Sequence, residues 1–225
     1  MRGAAAVLAL AALAAAPPSG AGEIPEATLI LEAAVGVPGS IPAAAPPRFV
    51  LKREGQVFVG GSAAVWVGQL DKDEVKAIER RVKQLRKSNL LSPTVSFGDD
   101  TSKKYRLRLL KDGARDVVIT GDPASAPPAL QGLAALVLDL LRFDHPSLRP
   151  LAPTDYAVSA REGTLVGGCR EWLLPVPFES VLAGPQRLPA DEAERWPAGA
   201  DPASVCHEGR RYVVTLRPLL PGEQL

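Results

Sequence analysis

The stretch Lys103-Lys104-Tyr105-Arg106-Leu107-Arg108-Leu109-Leu110-Lys111-Asp112-Gly113-Ala114-Arg115-Asp116-Val117-Val118-Ile119 decides the fold class. Tyr105, Leu107 and Leu109 alternate with Arg106 and Arg108, which is the period of a strand buried on one face. Asp112-Gly113 supplies the backbone freedom of a two-residue hairpin turn, and Val117-Val118-Ile119 forms the returning strand.

Upstream, Asp71-Lys72-Asp73-Glu74 places an acidic N-cap three residues before a glutamate, the pattern of a capping box. Val75, Ile78, Val82 and Leu85 then recur at helical spacing, so one apolar stripe faces a core. Ahead of that helix, Phe49–Arg53 and Gln56–Val59 flank Glu54-Gly55 as a second hairpin, and Ala63–Leu70 reads as a third strand. Downstream, Pro127-Pro128 opens a helix through Leu130, Leu133, Ala134, Val137, Leu140 and Leu141. Leu136 and Leu138 widen its apolar face, so it is the more buried helix. The expected fold is α+β, with antiparallel hairpins forming a sheet and two main helices packed on one face.

After Pro146 the character changes, with 11 prolines in the last 80 residues. Tyr156–Arg161, Thr164–Val166, Glu171–Leu174 and Arg211–Arg217 read as strands. Residues 146–225 are expected to extend the 48–145 core as one loop-rich β region, making 48–225 a single domain. Residues 22–47 read as a Pro/Ala-rich linker in which Ala27-Thr28-Leu29-Ile30-Leu31 forms an edge strand.

Residues 1–21 read as a signal peptide. Arg2 precedes an apolar run from Ala4 to Ala16, short of the roughly 20 residues of a membrane span, and Ser19-Gly20-Ala21 offers a cleavage site. The expected destination is secreted or periplasmic, with no transmembrane span in the mature chain. Arg outnumbers Lys 18 to 8 and Ala is plentiful, a usage that fits a bacterium of high GC content. At 225 residues, 46% hydrophobic and 23% charged, the chain has globular composition, and disorder and coiled coil are poor fits.

The two cysteines, Cys169 and Cys206, read as one disulfide in an oxidising compartment. Cys169 and His207 form a competing candidate for thiol-dependent hydrolysis, because a thiolate nucleophile needs a base. The readings exclude each other, since Cys206 is the obvious partner of Cys169. His145 reads as a C-terminal helix cap rather than a catalytic base, and Gly-x-Ser-x-Gly is absent. A metal site built from Cys169, Cys206, His207 and Glu208 would lack the close Cys or His pairs typical of structural zinc. With neither a Walker-type loop nor a Rossmann fingerprint, no cofactor is expected. Trp66, Trp172 and Trp196 read as core anchors.

A basic residue, or His207, followed by an acid and glycine occurs at Arg53-Glu54-Gly55, Lys111-Asp112-Gly113, Arg161-Glu162-Gly163 and His207-Glu208-Gly209. The unequal spacing favours four independent turns over a repeat.

The clearest functional signal is electrostatic. Residues 76–111 hold eleven Lys or Arg against three acids, in a chain whose net charge is +1. Lys76, Arg80, Arg81, Lys83, Arg86, Lys87, Lys103, Lys104, Arg106 and Arg108 are the candidate contacts to an anionic partner. Such a partner would be a lipid headgroup, an envelope polysaccharide or an acidic protein. Nucleic acid is a poor target for an exported chain, and Tyr105 alone is no stacking platform. The expected role is therefore a non-enzymatic binding module, with the thiol hydrolase as alternative and metal binding third.

Overall fold

The computed structural model describes residues 23–35, 47–61, 64–163, 165, 167–196 and 202–225. The signal-peptide reading at 1–21, Pro38, Pro42 and Pro46 of the linker, and Thr164 and Val166 lie outside the described residues.

The fold is α+β. Its first part contains β1 (Ala27–Val35), β2 (Pro47–Lys52), β3 (Gln56–Gly60), β4 (Val65–Gln69), α1 (Lys72–Lys87) and β5 (Thr94–Ser96). Then come β6 (Lys103–Leu109), β7 (Arg115–Thr120), α2 (Gln131–Leu141) and β8 (Arg149–Pro150). These strands form one eight-stranded sheet in the order β5-β7-β6-β1-β2-β3-β4-β8, antiparallel except where β5 pairs with β7.

β1 corrects the edge-strand expectation, because it pairs with β2 on one side and β6 on the other. Its Leu29-Ile30-Leu31 run is buried on both faces, the pattern of an interior strand. The prolines that argued for an edge belong to its flanks, and Pro47 opens β2 at the first-residue position that tolerates it.

The two hairpins form as their turn residues dictate. Gly55, at φ +86°, closes β2 onto β3, and Asp112 and Gly113 both take positive φ between β6 and β7. Glu208-Gly209 makes a third such turn, whereas Gly163 stays outside the left-handed region and its N–H extends a ladder to the Arg211 carbonyl at 3.1 Å. Three of the four acid–glycine sites are thus turns, each with its own register.

One face of the large sheet carries both main helices. Leu29, Leu31, Phe49, Leu51 and Leu107 meet Leu133, Leu136, Val137 and Leu140 of α2 there. α2 is the more deeply set helix, and its first turn, Pro128–Leu130, is 3-10 with proline at the opening position. The opposite face buries Ile30, Val50 and Phe58 under Ile24 and Leu220.

The C-terminal region contains β9 (Asp155–Glu162), α3 (Phe178–Ala183), β10 (Gln186–Pro189), α4 (Ala190–Ala193), β11 (Ala203–His207) and β12 (Arg210–Pro218). The strands form a second antiparallel sheet, β10-β9-β12-β11. Its own core includes Val158, Phe178, Leu188, Trp196 and Tyr212. Glu171–Leu174 is not a strand; Pro175 and Pro177 follow it, and Trp172 Nε1 donates to the Val176 carbonyl at 2.7 Å. Beside it, Arg170 makes a single parallel bridge to Val205.

The last residues tie the two sheets together. Beyond β12, Leu220 inserts beneath the large sheet, the Gln224 N–H donates to the Glu23 carbonyl at 2.8 Å, and Arg187 donates to the Glu223 carbonyl at 2.5 Å.

Candidate functional site

α1 is built as its sequence dictates. Asp71 Oδ1 accepts the N–H groups of Asp73 and Glu74 at 2.8 and 2.9 Å, and Glu74 Oε2 accepts the Asp71 N–H at 2.8 Å. That reciprocal cap satisfies three otherwise unpaired donors at the helix start. At the other end, Arg86 donates to the carbonyls of Lys111, Asp112 and Gly113 at 2.7, 3.0 and 3.0 Å, docking the helix onto the β6–β7 turn.

The outward side of α1 is a cationic stripe. Lys72, Lys76, Arg80, Lys83 and Lys87 are all exposed and succeed one another at spacings of four, four, three and four residues. At 1.5 Å and 100° per residue they run about 22 Å along the helix within an arc of about 80°. Lys76 is paired with Asp73 at 3.3 Å, and Arg80 Nε reaches the Lys76 carbonyl at 3.3 Å. Lys83 and Lys87 have no ion pair among the described residues. Lys72 lies just ahead of the densest basic segment, and its spacing of four to Lys76 is the sequence signal that identifies it.

The other predicted contacts go elsewhere. Arg81 pairs with Asp139 of α2 at 2.8 Å, and Arg86 is committed to the turn carbonyls. Lys104, Arg106 and Arg108 alternate with Tyr105, Leu107 and Leu109, which face the helices, so they project from the opposite face of the sheet. Helix and hairpin therefore do not present their ten cations as one face. Arg106 Nε donates to Asp116 Oδ1 and Oδ2 at 3.0 and 2.8 Å and lies 4.0 Å from buried Glu32, and the Asp116 hydrogen bonds raise its pKa above the ordinary value. Lys103, at the start of β6, donates to Asp122, with Asp100 at 3.9 Å. That bond raises the lysine and lowers the Asp122 carboxyl below its ordinary value, helped there by the Ala124 N–H. Asp100 is lowered mainly by the hydroxyl and N–H of Ser102.

Cys169 and Cys206 are joined in a disulfide, with Cα atoms 5.3 Å apart and 37 residues between them in sequence number. No thiol remains on Cys169 in this structure. His207, next to Cys206 on β11, packs at a tilt of 49° against Phe178 with ring centroids 4.7 Å apart and places Nε2 3.0 Å from Glu179 Oε1.

His145 differs from its reading as a cap for α2, where the closing N–H is that of Arg142 to the Leu138 carbonyl at 3.0 Å. Its Nε2 lies 3.0 Å from Glu74 Oε1 and its Nδ1 2.7 Å from Ser147 Oγ. A Ser-His-Glu line of this kind resembles a catalytic relay, but the Ser147 hydroxyl also accepts the Gln69 N–H at 2.9 Å and meets the Gln69 carbonyl at 3.0 Å. The Ser147 N–H also donates to Nδ1 at 3.2 Å, so the single hydroxyl hydrogen is contested between Nδ1 and the Gln69 carbonyl. The cluster staples the loop after α2 to β4 and to the start of α1. Trp66, expected in the core, is 43% exposed beside it and lines a cleft of about 630 Å³ with Arg48, Phe143, Asp144 and His145. Trp196 is buried as expected and Trp172 half-buried.

Among the described residues, no three His, Cys, Asp or Glu side chains gather at metal-ligating distance. The chain matches no protein-family model, no curated protein and no solved structure.

Proposed function

We propose that this chain is an exported binding protein that holds an anionic surface, foremost the headgroups of an anionic membrane, against the outer side of α1. The observation that carries this reading is the stripe of Lys72, Lys76, Arg80, Lys83 and Lys87. Successive charges lie about 4.5–6 Å apart along the axis, inside the Debye length of about 8 Å at physiological salt, so their potentials add. At about 1 kcal/mol per Lys or Arg near an anionic bilayer, five such residues give sub-millimolar binding that salt weakens. Export is supported by the signal-like segment 1–21 and by the disulfide, a bond that oxidising compartments preserve. No helix among the described residues is long and apolar enough to cross a membrane, which suits a peripheral attachment.

The test is co-sedimentation with phosphatidylglycerol-rich vesicles, phosphatidylcholine vesicles and a soluble anionic polysaccharide. The reading expects binding to the anionic vesicles that fades between about 0.05 and 0.5 M NaCl. Lys76→Glu, Arg80→Glu, Lys83→Glu and Lys87→Glu together abolish it, while four reversals at exposed Arg53, Arg115, Arg161 and Arg211 leave most of it. Binding to the polysaccharide alone moves the partner from lipid to polymer. Equal loss from both sets of reversals, or indifference to salt, overturns the reading.

A further inference from the structure

The apolar side of α1 is incompletely covered. Val75, Ile78, Val82 and Leu85 form its inward stripe, yet Leu85 alone is fully buried and the other three are half-buried. Beneath Ile78 and Val82 lies a trough of about 350 Å³, floored by Leu29 of β1, Leu51 of β2 and Leu109 of β6. These floor residues are each at most 3% exposed, so the trough opens onto the main core rather than onto a polar loop.

The rim of the trough is charged. Arg86 is occupied by the three turn carbonyls, and Lys111 is paired with Glu79 at 2.6 Å. Lys83 sits on the same rim with no hydrogen bond or ion pair among the described residues, and it belongs to the cationic stripe. Asp112 shares the rim, so three cations, Lys83, Arg86 and Lys111, face two acids, Glu79 and Asp112; that excess of one positive charge over an apolar slot matches a ligand with one negative head and one alkyl chain. A volume of about 350 Å³ falls at the small end of the roughly 300–1,000 Å³ typical of ligand pockets, which suits one chain better than two.

We infer that this trough binds the alkyl chain of a single-chain anionic amphiphile, a fatty acid being the simplest, with its headgroup on Lys83. The inference rests on the reading of α1 as an anion-binding surface and adds the apolar half of that interaction. A charged patch alone or a single acyl chain alone gives marginal membrane attachment, whereas the two together give a stable one. An amphiphile held at this place would supply the second signal.

The experiment titrates laurate, below its micellar range, into the full chain, with dodecanol and octanoate as controls, by calorimetry. One saturable site is expected, with affinity falling roughly tenfold or more for each two carbons removed. Lys83→Gln weakens laurate at least fivefold and leaves dodecanol unchanged, as expected when a headgroup contact is lost. Val82→Phe fills the trough and removes laurate binding. Val82→Phe retains its low-salt attachment to phosphatidylglycerol vesicles, which separates failure of this inference from failure of the stripe. Its native circular dichroism spectrum must be intact, and Ile78→Phe serves in its place if it is not. The absence of a saturable site, dodecanol binding as tightly as laurate, or a Val82→Phe chain that still takes laurate would each overturn the inference.

Discussion

Arg217 and Glu223 grip each other with both side chains out of solvent. Arg217 Nη2 donates to Glu223 Oε1 at 2.6 Å and Nη1 to Oε2 at 3.1 Å, with 2% and 0% of the two side chains exposed. The Leu220 N–H adds a third bond to Oε2 at 3.0 Å, so the carboxylate anchors the C-terminal tail to β12. Within the loop that this anchor closes, Leu220 lies beneath the large sheet, and Arg187 of β10 holds the Glu223 carbonyl. The pair is therefore the joint between the two sheets.

Removing one member of this pair leaves an uncompensated charge in a dry place. Glu223→Gln or Arg217→Met is expected to destabilise the fold by about 3–5 kcal/mol in urea unfolding. The double replacement Arg217→Met with Glu223→Leu recovers most of that loss, because the desolvation of both charges disappears together. Single and double replacements of equal cost would contradict this account.

The disulfide spans a loop of 37 residues, Cys169 to Cys206. On the chain-entropy relation its removal costs about 4 kcal/mol. Replacing both cysteines by serine is expected to lower the urea midpoint by the corresponding amount. Activity of any kind that depends on a free thiol would appear only after reduction, which thiol alkylation before and after a reductant measures directly.

At the start of α1, Asp71→Ala removes the acceptor for two N–H groups and breaks the capping box. The expected cost is about 1 kcal/mol, and Asp71→Asn restores most of it because the amide oxygen still accepts. Thermal unfolding of the three chains orders them wild type, Asn, Ala.

The pair of Lys103 and Asp122 gives stability a pH dependence on the acid side. Asp122 and Asp100 are held below the ordinary aspartate value, chiefly by hydrogen bonds from Lys103 and Ser102 respectively. A carboxyl with a lowered folded pKa stabilises the fold above its unfolded pKa, and that contribution is lost as pH falls through the folded value. The melting temperature is therefore expected to fall below about pH 4, with a shallower fall in Asp122→Asn. Lys103 is raised, so its part persists below its unfolded value of 10.5 and is lost as pH rises through the higher folded one. Identical acid limbs for the parent and Asp122→Asn would remove Asp122 from this role.

Some of this was legible along the chain because the relevant partners are neighbours in sequence. Asp71 and Glu74 lie three residues apart, Asp112-Gly113 makes its turn alone, and the spacing of Val75, Ile78, Val82 and Leu85 sets a helix face by itself. The pairing of Cys169 with Cys206 follows from there being two cysteines. Other features depend on which elements meet. β1 is interior because β6 returns to its free side, a fact no residue of β1 declares. The short elements α3, β10 and α4 carry too few residues for a periodic signal.

The sequence by itself determined the two main helices, the hairpin turns, the disulfide and the excess of cations between residues 76 and 111. The tertiary structure decided where those cations point. A strand alternates its side chains between two faces, so burying Tyr105, Leu107 and Leu109 under the helices sends Lys104, Arg106 and Arg108 to the far side of the sheet. A helix keeps residues three and four apart on one side, so Lys72, Lys76, Arg80, Lys83 and Lys87 remain together once the opposite side turns to the core. Charge is written in the sequence, but its division between surfaces follows from the packing of the apolar residues beside it.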